Sequence, residues 1–208
     1  ILSSGIYEML KTYREKGIPE EVAKDTLDDL LRWMDSFRRS EGRWGFRQQS
    51  WLYRHFTCRL FRFGRLQYEP IKFMDKIVVF RNNTSNDIRI FSKGDVKYRQ
   101  DGQIDGTCGI FDNQNSWISE YKETEDKITG NPITPDNAAC SNKTVEIDKN
   151  QWHKVLDEND DVLNVHIPEG SKLDHELCVK SYKDALQFFK KYYPELNPKA
   201  FVCNSWLL

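Results

Sequence analysis

Val162-Leu163-Asn164-Val165-His166-Ile167-Pro168-Glu169-Gly170-Ser171 decides how the rest of this chain is read. Leu163, Val165 and Ile167 alternate like the buried face of a strand, and Pro168 and Gly170 end the run. From Asp174 onward, Leu177, Cys178, Tyr182, Ala185, Leu186, Phe189 and Tyr193 recur at helical spacing until Pro194, with Ser171 or Asp174 placed to cap the start. Ala200-Phe201-Val202-Cys203 then reads as a second strand, parallel to the first because a helix crosses between them. In open α/β architectures ligands bind beyond the carboxyl ends of strands, where helix N-termini present unpaired N–H groups. His166 and Glu169 stand at that end, although many strand–loop–helix units are only scaffolding.

Toward the N-terminus the pattern is helical. Ile6, Met9, Leu10 and Tyr13 share one face, and Gly17-Ile18-Pro19 breaks the chain. Pro19 followed by Glu20 and Glu21 restarts it. Val22, Leu27, Leu30, Leu31, Met34 and Phe37 form an apolar stripe, and a third helix is expected from Gln48 to Thr57. Near Phe61 the period changes. Leu66 and Tyr68, Ile77–Phe80, Ile88–Phe91 and Trp117–Tyr121 read as strands, while Asp101–Asp112 and Gly130–Asn137 read as loops. The expected class is α+β (α/β-like), with a helical portion over residues 1–60 and a mixed α/β domain over 61–208.

At 208 residues, with 30% charged and 13% aromatic residues, the chain can bury a sizeable core. No run approaches the roughly eighteen apolar residues of a membrane-spanning helix, so no membrane partner is expected. Five cysteines without paired spacing argue against a disulfide scaffold or a zinc ribbon and point to a reducing cytoplasm. Asp101, Asp105 and Asp112 do not match the spacing of a calcium loop. Ile1 in the first position implies that the natural N-terminus lies upstream.

Charge is unevenly placed. Between Arg32 and Arg65 stand nine arginines, no lysine and two acids, about +7 in a chain of net charge −1. Trp33, Phe37, Trp44, Phe46, Trp51, Tyr53, Phe56, Phe61 and Phe63 are interleaved with them. Such arginines can bind a phosphate-bearing cofactor, bind RNA, or stack on the aromatics and pair with acids elsewhere in the chain. The absence of overall basicity weighs against nucleic acid.

Four stretches carry a resemblance: Phe63-Gly64-Arg65-Leu66-Gln67-Tyr68-Glu69, Gly130-x-Pro132-Ile133, Leu163 to Gly170, and Cys203-Asn204-Ser205-Trp206-Leu207-Leu208. In this order they resemble the two-part bacterial acyltransferase-domain proteins, which join a helical N-terminal acyltransferase portion to a GNAT-like C-terminal domain. The resemblance covers essentially the whole chain. It implies transfer of an acyl group from acyl-CoA, as co-substrate, to a small-molecule amine or hydroxyl. There are departures. The Gln/Arg-x-x-Gly-x-Gly/Ala phosphate loop of well-characterised GNAT enzymes is absent, and Ile167–Ser171 offers one glycine. Asn204 stands where the family typically has His. Relatives continue beyond Leu208, so part of the acceptor side is expected to lie further on.

On that resemblance, backbone N–H groups of Gly170, Ser171 and Lys172 would cradle the pyrophosphate, with Arg59 or Arg65 adding phosphate contacts. The acyl–pantetheine arm would lie between splayed Leu163 and Phe201 strands. Direct attack on a thioester needs a base, donors for the oxyanion and an acid for the thiolate. His166 is the candidate base because imidazole titrates near neutrality, against a plain reading as a half-buried strand histidine. Glu69, at a strand end, is either a base or the ion-pair partner of Arg65; Glu169 is either a base or a helix cap. Cys203 is a nucleophile beside His166 or an inert apolar thiol, and Ser205 a proton donor to the thiolate or a strand terminator. No Gly-x-Ser-x-Gly elbow or HExxH pair is present. The rival functions are a non-catalytic ligand- or glycan-binding module on a GNAT-like fold and, less favoured, an RNA-binding protein.

Overall fold

The computed structural model describes residues 2–168 and 172–203. In chain order its elements are α1 (Leu2–Lys16), α2 (Glu20–Glu41), α3 (Gln49–Phe56), β1 (Phe61–Phe63), β2 (Leu66–Lys72), β3 (Ile77–Asn82), β4 (Ile88–Ser92), β5 (Lys97–Tyr98), β6 (Trp117–Ile118), β7 (Tyr121–Glu123), β8 (Lys127–Gly130), β9 (Pro132–Ile133), β10 (Val145–Asp148), β11 (Trp152–Leu156), β12 (Asp161–His166), α4 (His175–Tyr192) and β13 (Ala200–Val202). Helices and mixed sheets together make an α+β protein. The chain folds as two compact units, one of residues 1–71 with 161–208 and one of residues 72–160.

Among the described residues the first unit holds α1–α4 and a sheet ordered β1-β2-β12-β13. β1 and β2 are antiparallel, and Gly64-Arg65 closes their hairpin, with Phe63 opposite Leu66. Gly64 has φ +59°, the left-handed conformation that a two-residue hairpin of this kind asks of its first turn residue and that glycine adopts without a Cβ clash. β12 and β13 are parallel, pairing Val162 with Ala200, Leu163 with Phe201 and Asn164 with Val202, as the helix crossing between them requires. These strands are therefore hydrogen-bonded as far as Asn164 and Val202, and any splaying to admit an acyl arm starts after that point.

Alternation sorts the sheet into two faces. Leu66, Tyr68, Leu163 and Val165 join Phe61, Phe63, Ala185, Phe188 and Phe189 in a core that Met9, Tyr13 and Ile18 of the N-terminal segment also enter. The N-terminal helices and the first strands therefore share one core. α4 starts on Asp174, whose carboxylate accepts from the Leu177 N–H at 3.0 Å. Of the expected α2 stripe, Leu30 is buried and Val22 and Leu27 pack partly buried against this core, while Leu31 is exposed; Ala23, Thr26 and Asp29 are buried beside them. A carboxylate thus faces inward from α2, toward the polar side of the sheet.

The second unit is built from β3–β11 around Val78, Phe80, Phe91, Ile128 and Ile147. Its sheets run β11-β3-β4-β9, β10-β8-β7 and β5-β6. The expected strand at Trp117–Tyr121 divides into β6 and β7, and β9 lies inside the expected Gly130–Asn137 loop. Among the described residues no helix is long and apolar enough to cross a membrane.

Candidate active site

On the face of β2 opposite Tyr68 stand Gln67 and Glu69; on the face of β12 opposite Val165 stand Asn164 and His166. β2 and β12 are neighbours in the sheet, so one strip of sheet carries four polar side chains. Trp51, Arg54 and His55, spaced i, i+3 and i+4 on α3, gather over it.

Glu69 is 3% exposed and lies within β2, not at a strand end. His166 Nε2 is 3.3 Å from its Oε2, Arg54 Nε is 3.1 Å from Oε1 and Arg59 Nη2 is 3.6 Å from Oε1. Burial pushes this carboxyl up, but the hydrogen bond from His166 and the charges of Arg54 and Arg59 outweigh burial and hold it below its ordinary value. Glu69 is therefore an ionised acceptor at neutral pH and a poor general base. A carboxylate can only accept, so His166 Nε2 carries a hydrogen, and in the neutral ring the lone pair is then on Nδ1. Asn164 Nδ2 lies 3.3 Å from the same Nε2, and its Oδ1 has no partner. Turning that carboxamide lets its oxygen share the Nε2–H.

The imidazole is bracketed on its other side by Trp51, whose ring meets it edge-on at 4.8 Å and 85°. Arg54 lies over the Trp51 ring at 5.0 Å. The Trp51 indole N–H donates to Asp29 Oδ2 at 3.0 Å, and His55 Nε2 is 3.7 Å from the same oxygen. Asp29 and His55 are 1% and 0% exposed. Burial raises the Asp29 carboxyl, and the neighbouring His55, the Trp51 N–H and Gln67 together bring it below its ordinary value. Gln67 sits beside this carboxylate with neither amide atom in a well-formed hydrogen bond.

Of the residues singled out from sequence, His166, Glu69 and Arg59 come together here. Arg65 does not pair with Glu69. It sits on the β1–β2 turn, largely buried, and donates from Nη1 to the Pro168 carbonyl at 2.8 Å, fastening the chain just past β12. Cys203 is exposed, one residue past the end of β13. Lys172 is exposed. Glu169, Gly170, Ser171 and Ser205 lie outside the described residues.

Asp29, Trp51, Arg54, His55, Gln67 and Asn164 were not anticipated from sequence. Signals for them existed: Gln67-x-Glu69 and Asn164-x-His166 place polar residues at strand period, and Asp29 follows Thr26 by three residues on the inward side of α2. The arginine run mostly finds acids. Arg32 and Arg62 meet Asp28, Arg38 and Arg39 meet Asp35, and Arg47 meets Glu41, while Arg38 lies over Trp44.

A sheet with a parallel β12–β13 pair crossed by α4, and a histidine–carboxylate pair on its polar face, places the protein in the α+β class with a GNAT-like fold. The chain belongs to the family of the GNAT-like C-terminal domain, which matches residues 60–208, and the N-acyltransferase N-terminal domain matches residues 2–58. Among solved structures, an acyltransferase in complex with decanoyl-CoA aligns with a TM-score of 0.50 and 19% identity, over 96% of this chain and 37% of that one. Another, in complex with decanoyl-CoA and teicoplanin, gives 0.50 and 18%, over 93% and 35%. The chain thus spans little more than a third of those structures, and what it shares with them at this identity is the fold. No curated protein gives a significant match.

Proposed function

We propose that this protein transfers an acyl group from acyl-CoA to a small-molecule amine or hydroxyl, with His166 as general base. The observation that carries the reading is the Glu69–His166 pair on the polar face of β2 and β12. The acceptor nitrogen or oxygen attacks the thioester carbonyl as its proton passes to His166 Nδ1. The tetrahedral oxyanion then collapses, the C–S bond breaks, and the CoA thiolate takes up a proton. Ionised Glu69 holds the Nε2–H and steadies the imidazolium that forms; Arg54 and Arg59 keep Glu69 ionised. Arg65 fastens the Pro168 carbonyl just past β12, and the N–H groups of Gly170, Ser171 and Lys172 would take the pyrophosphate. Residues 1–60 serve as the helical acyltransferase portion and supply Asp29, Trp51, Arg54 and Arg59 to the site. Five free thiols suit a reducing compartment such as the cytoplasm.

The acyl-CoA co-substrate is tested by calorimetric titration with acetyl-CoA, decanoyl-CoA and desulfo-CoA. Saturable binding that Arg65→Ala weakens roughly tenfold or more supports the reading. Absence of binding to any of them at about millimolar concentration overturns it.

A further inference from the structure

The scheme above leaves one arrangement unused: an ionised carboxylate sealed between α2 and α3. Asp29 is 1% exposed, and apolar side chains of similar volume join two helices without the desolvation that a buried charge incurs. Its oxygen Oδ2 meets the Trp51 indole N–H at 3.0 Å and faces His55 at 3.7 Å. His55 is itself turned by a 2.9 Å contact between Nδ1 and the Trp51 carbonyl oxygen. Both partners of Asp29 therefore lead to the same residue. Trp51 carries the arrangement outward, because its ring stands edge-on against the His166 imidazole at 4.8 Å.

An imidazole at the end of a strand has free rotation about χ2, which its single carboxylate partner limits only in part. An indole ring held by a buried anion supplies the missing restraint. We infer that Asp29 and Trp51 are positioning residues for His166: Asp29 fixes the indole through its N–H, and the indole edge fixes the imidazole plane so that Nε2 faces Glu69 and Nδ1 faces the acceptor. The inference rests on the reading of His166 as base. The charged or titratable groups around His166 are Glu69 from β2, Arg54 from α3 and Arg59 from the segment after α3 on the other oxygen of Glu69, and Asp29 and His55 behind the Trp51 ring. From β12 itself the neighbour is the neutral Asn164.

The test is the orientation of the His166 ring, read in the full chain from nuclear Overhauser contacts of its Hδ2 and Hε1 protons. Wild type should show one set of contacts, the signature of a ring held against the Trp51 edge. Trp51→Phe keeps an apolar ring against the imidazole but removes the N–H that Asp29 holds, and Asp29→Leu removes the acceptor; each should lose the single-set signature and give an averaged one. Asp29→Asn retains an oxygen for the indole N–H and should restore the wild-type pattern. Should Asp29→Leu fail to fold, Trp51→Phe against Asp29→Asn decides alone. A wild-type signature in Trp51→Phe overturns the inference whatever the activity. The expected signature pattern together with undiminished turnover by His166→Asn would instead overturn the base reading and leave the positioning contact standing.

Discussion

The two units bury different things. The unit of residues 1–71 and 161–208 places carboxylates inside: Asp29 and Glu69 are 1% and 3% exposed and each is ringed by donors. In the unit of residues 72–160, apart from Asp105, whose enclosed side chain pairs with Lys97 at 2.8 Å, the acids of the main ion-pair web stay near the surface. Lys93 meets Asp157 at 2.7 Å, Lys154 bridges Glu123 and Asp157 at 2.8 and 2.9 Å, and Lys149 meets Glu123 at 3.0 Å. Water screens such pairs, and their charges answer to one another. A carboxylate shut away from water has a defined partner and a defined protonation state, which acid–base chemistry requires. The proposed chemistry rests on the first unit; the second is held together by a small apolar core and its ion pairs.

The largest expected effect falls on the core of the first unit. Phe61 is fully buried against Phe188, Phe189, Tyr13 and Tyr193, so Phe61→Ala should destabilise it by about 3–5 kcal/mol in denaturant melts. Glu69→Gln comes next, at about 2 kcal/mol. That figure lies below the usual cost of breaking a buried pair because the Arg54 and Arg59 side chains, 36% and 56% exposed, can turn to water.

The pH dependence of stability separates the units further. Glu69 has a folded value below its ordinary 4.5, so its contribution is complete above about pH 4.5 and is lost as pH falls through the folded value. Glu69→Gln should flatten the stability–pH curve of the first unit there. In the second unit, burial raises Glu123 but Lys154, Tyr121 and Lys149 bring it down to about 2; burial likewise raises Asp157, and Lys93 and Lys154 bring it to about 2. Stability from that web is complete above about pH 4.5 and drains away toward pH 2, a modest loss because both acids are partly exposed. Lys180→Ala marks the bottom of the scale. It removes an exposed pair with Asp184 at 2.6 Å and should move stability by no more than about 0.5 kcal/mol.

Much of this contrast was legible in the residues. The period of Leu177 to Tyr193 gave α4, Pro19-Glu20-Glu21 gave the start of α2, and the helix between Leu163 and Phe201 gave the parallel pair. Strands β8, β10 and β11 went unread because Lys127–Gly130, Val145–Asp148 and Trp152–Leu156 are short and rich in charged or polar residues, so their alternation is weak against the turns around them. His166 and Glu69 stood out as lone titratable residues beside apolar runs. Their meeting did not, because β2 and β12 are brought side by side across roughly ninety intervening residues, and neither strand's local pattern encodes its neighbour. The N-terminal contribution was hidden for the same reason: Asp29 and Trp51 look like ordinary helix residues until α2 and α3 are laid over the polar strip.

The decisive measurement is release of CoA thiol from decanoyl-CoA in the presence of a panel of small amines and alcohols, comparing wild type with His166→Asn at matched decanoyl-CoA occupancy. Base catalysis by His166 predicts turnover lower by roughly 100-fold or more with decanoyl-CoA affinity unchanged. Turnover within about twofold of wild type would contradict it.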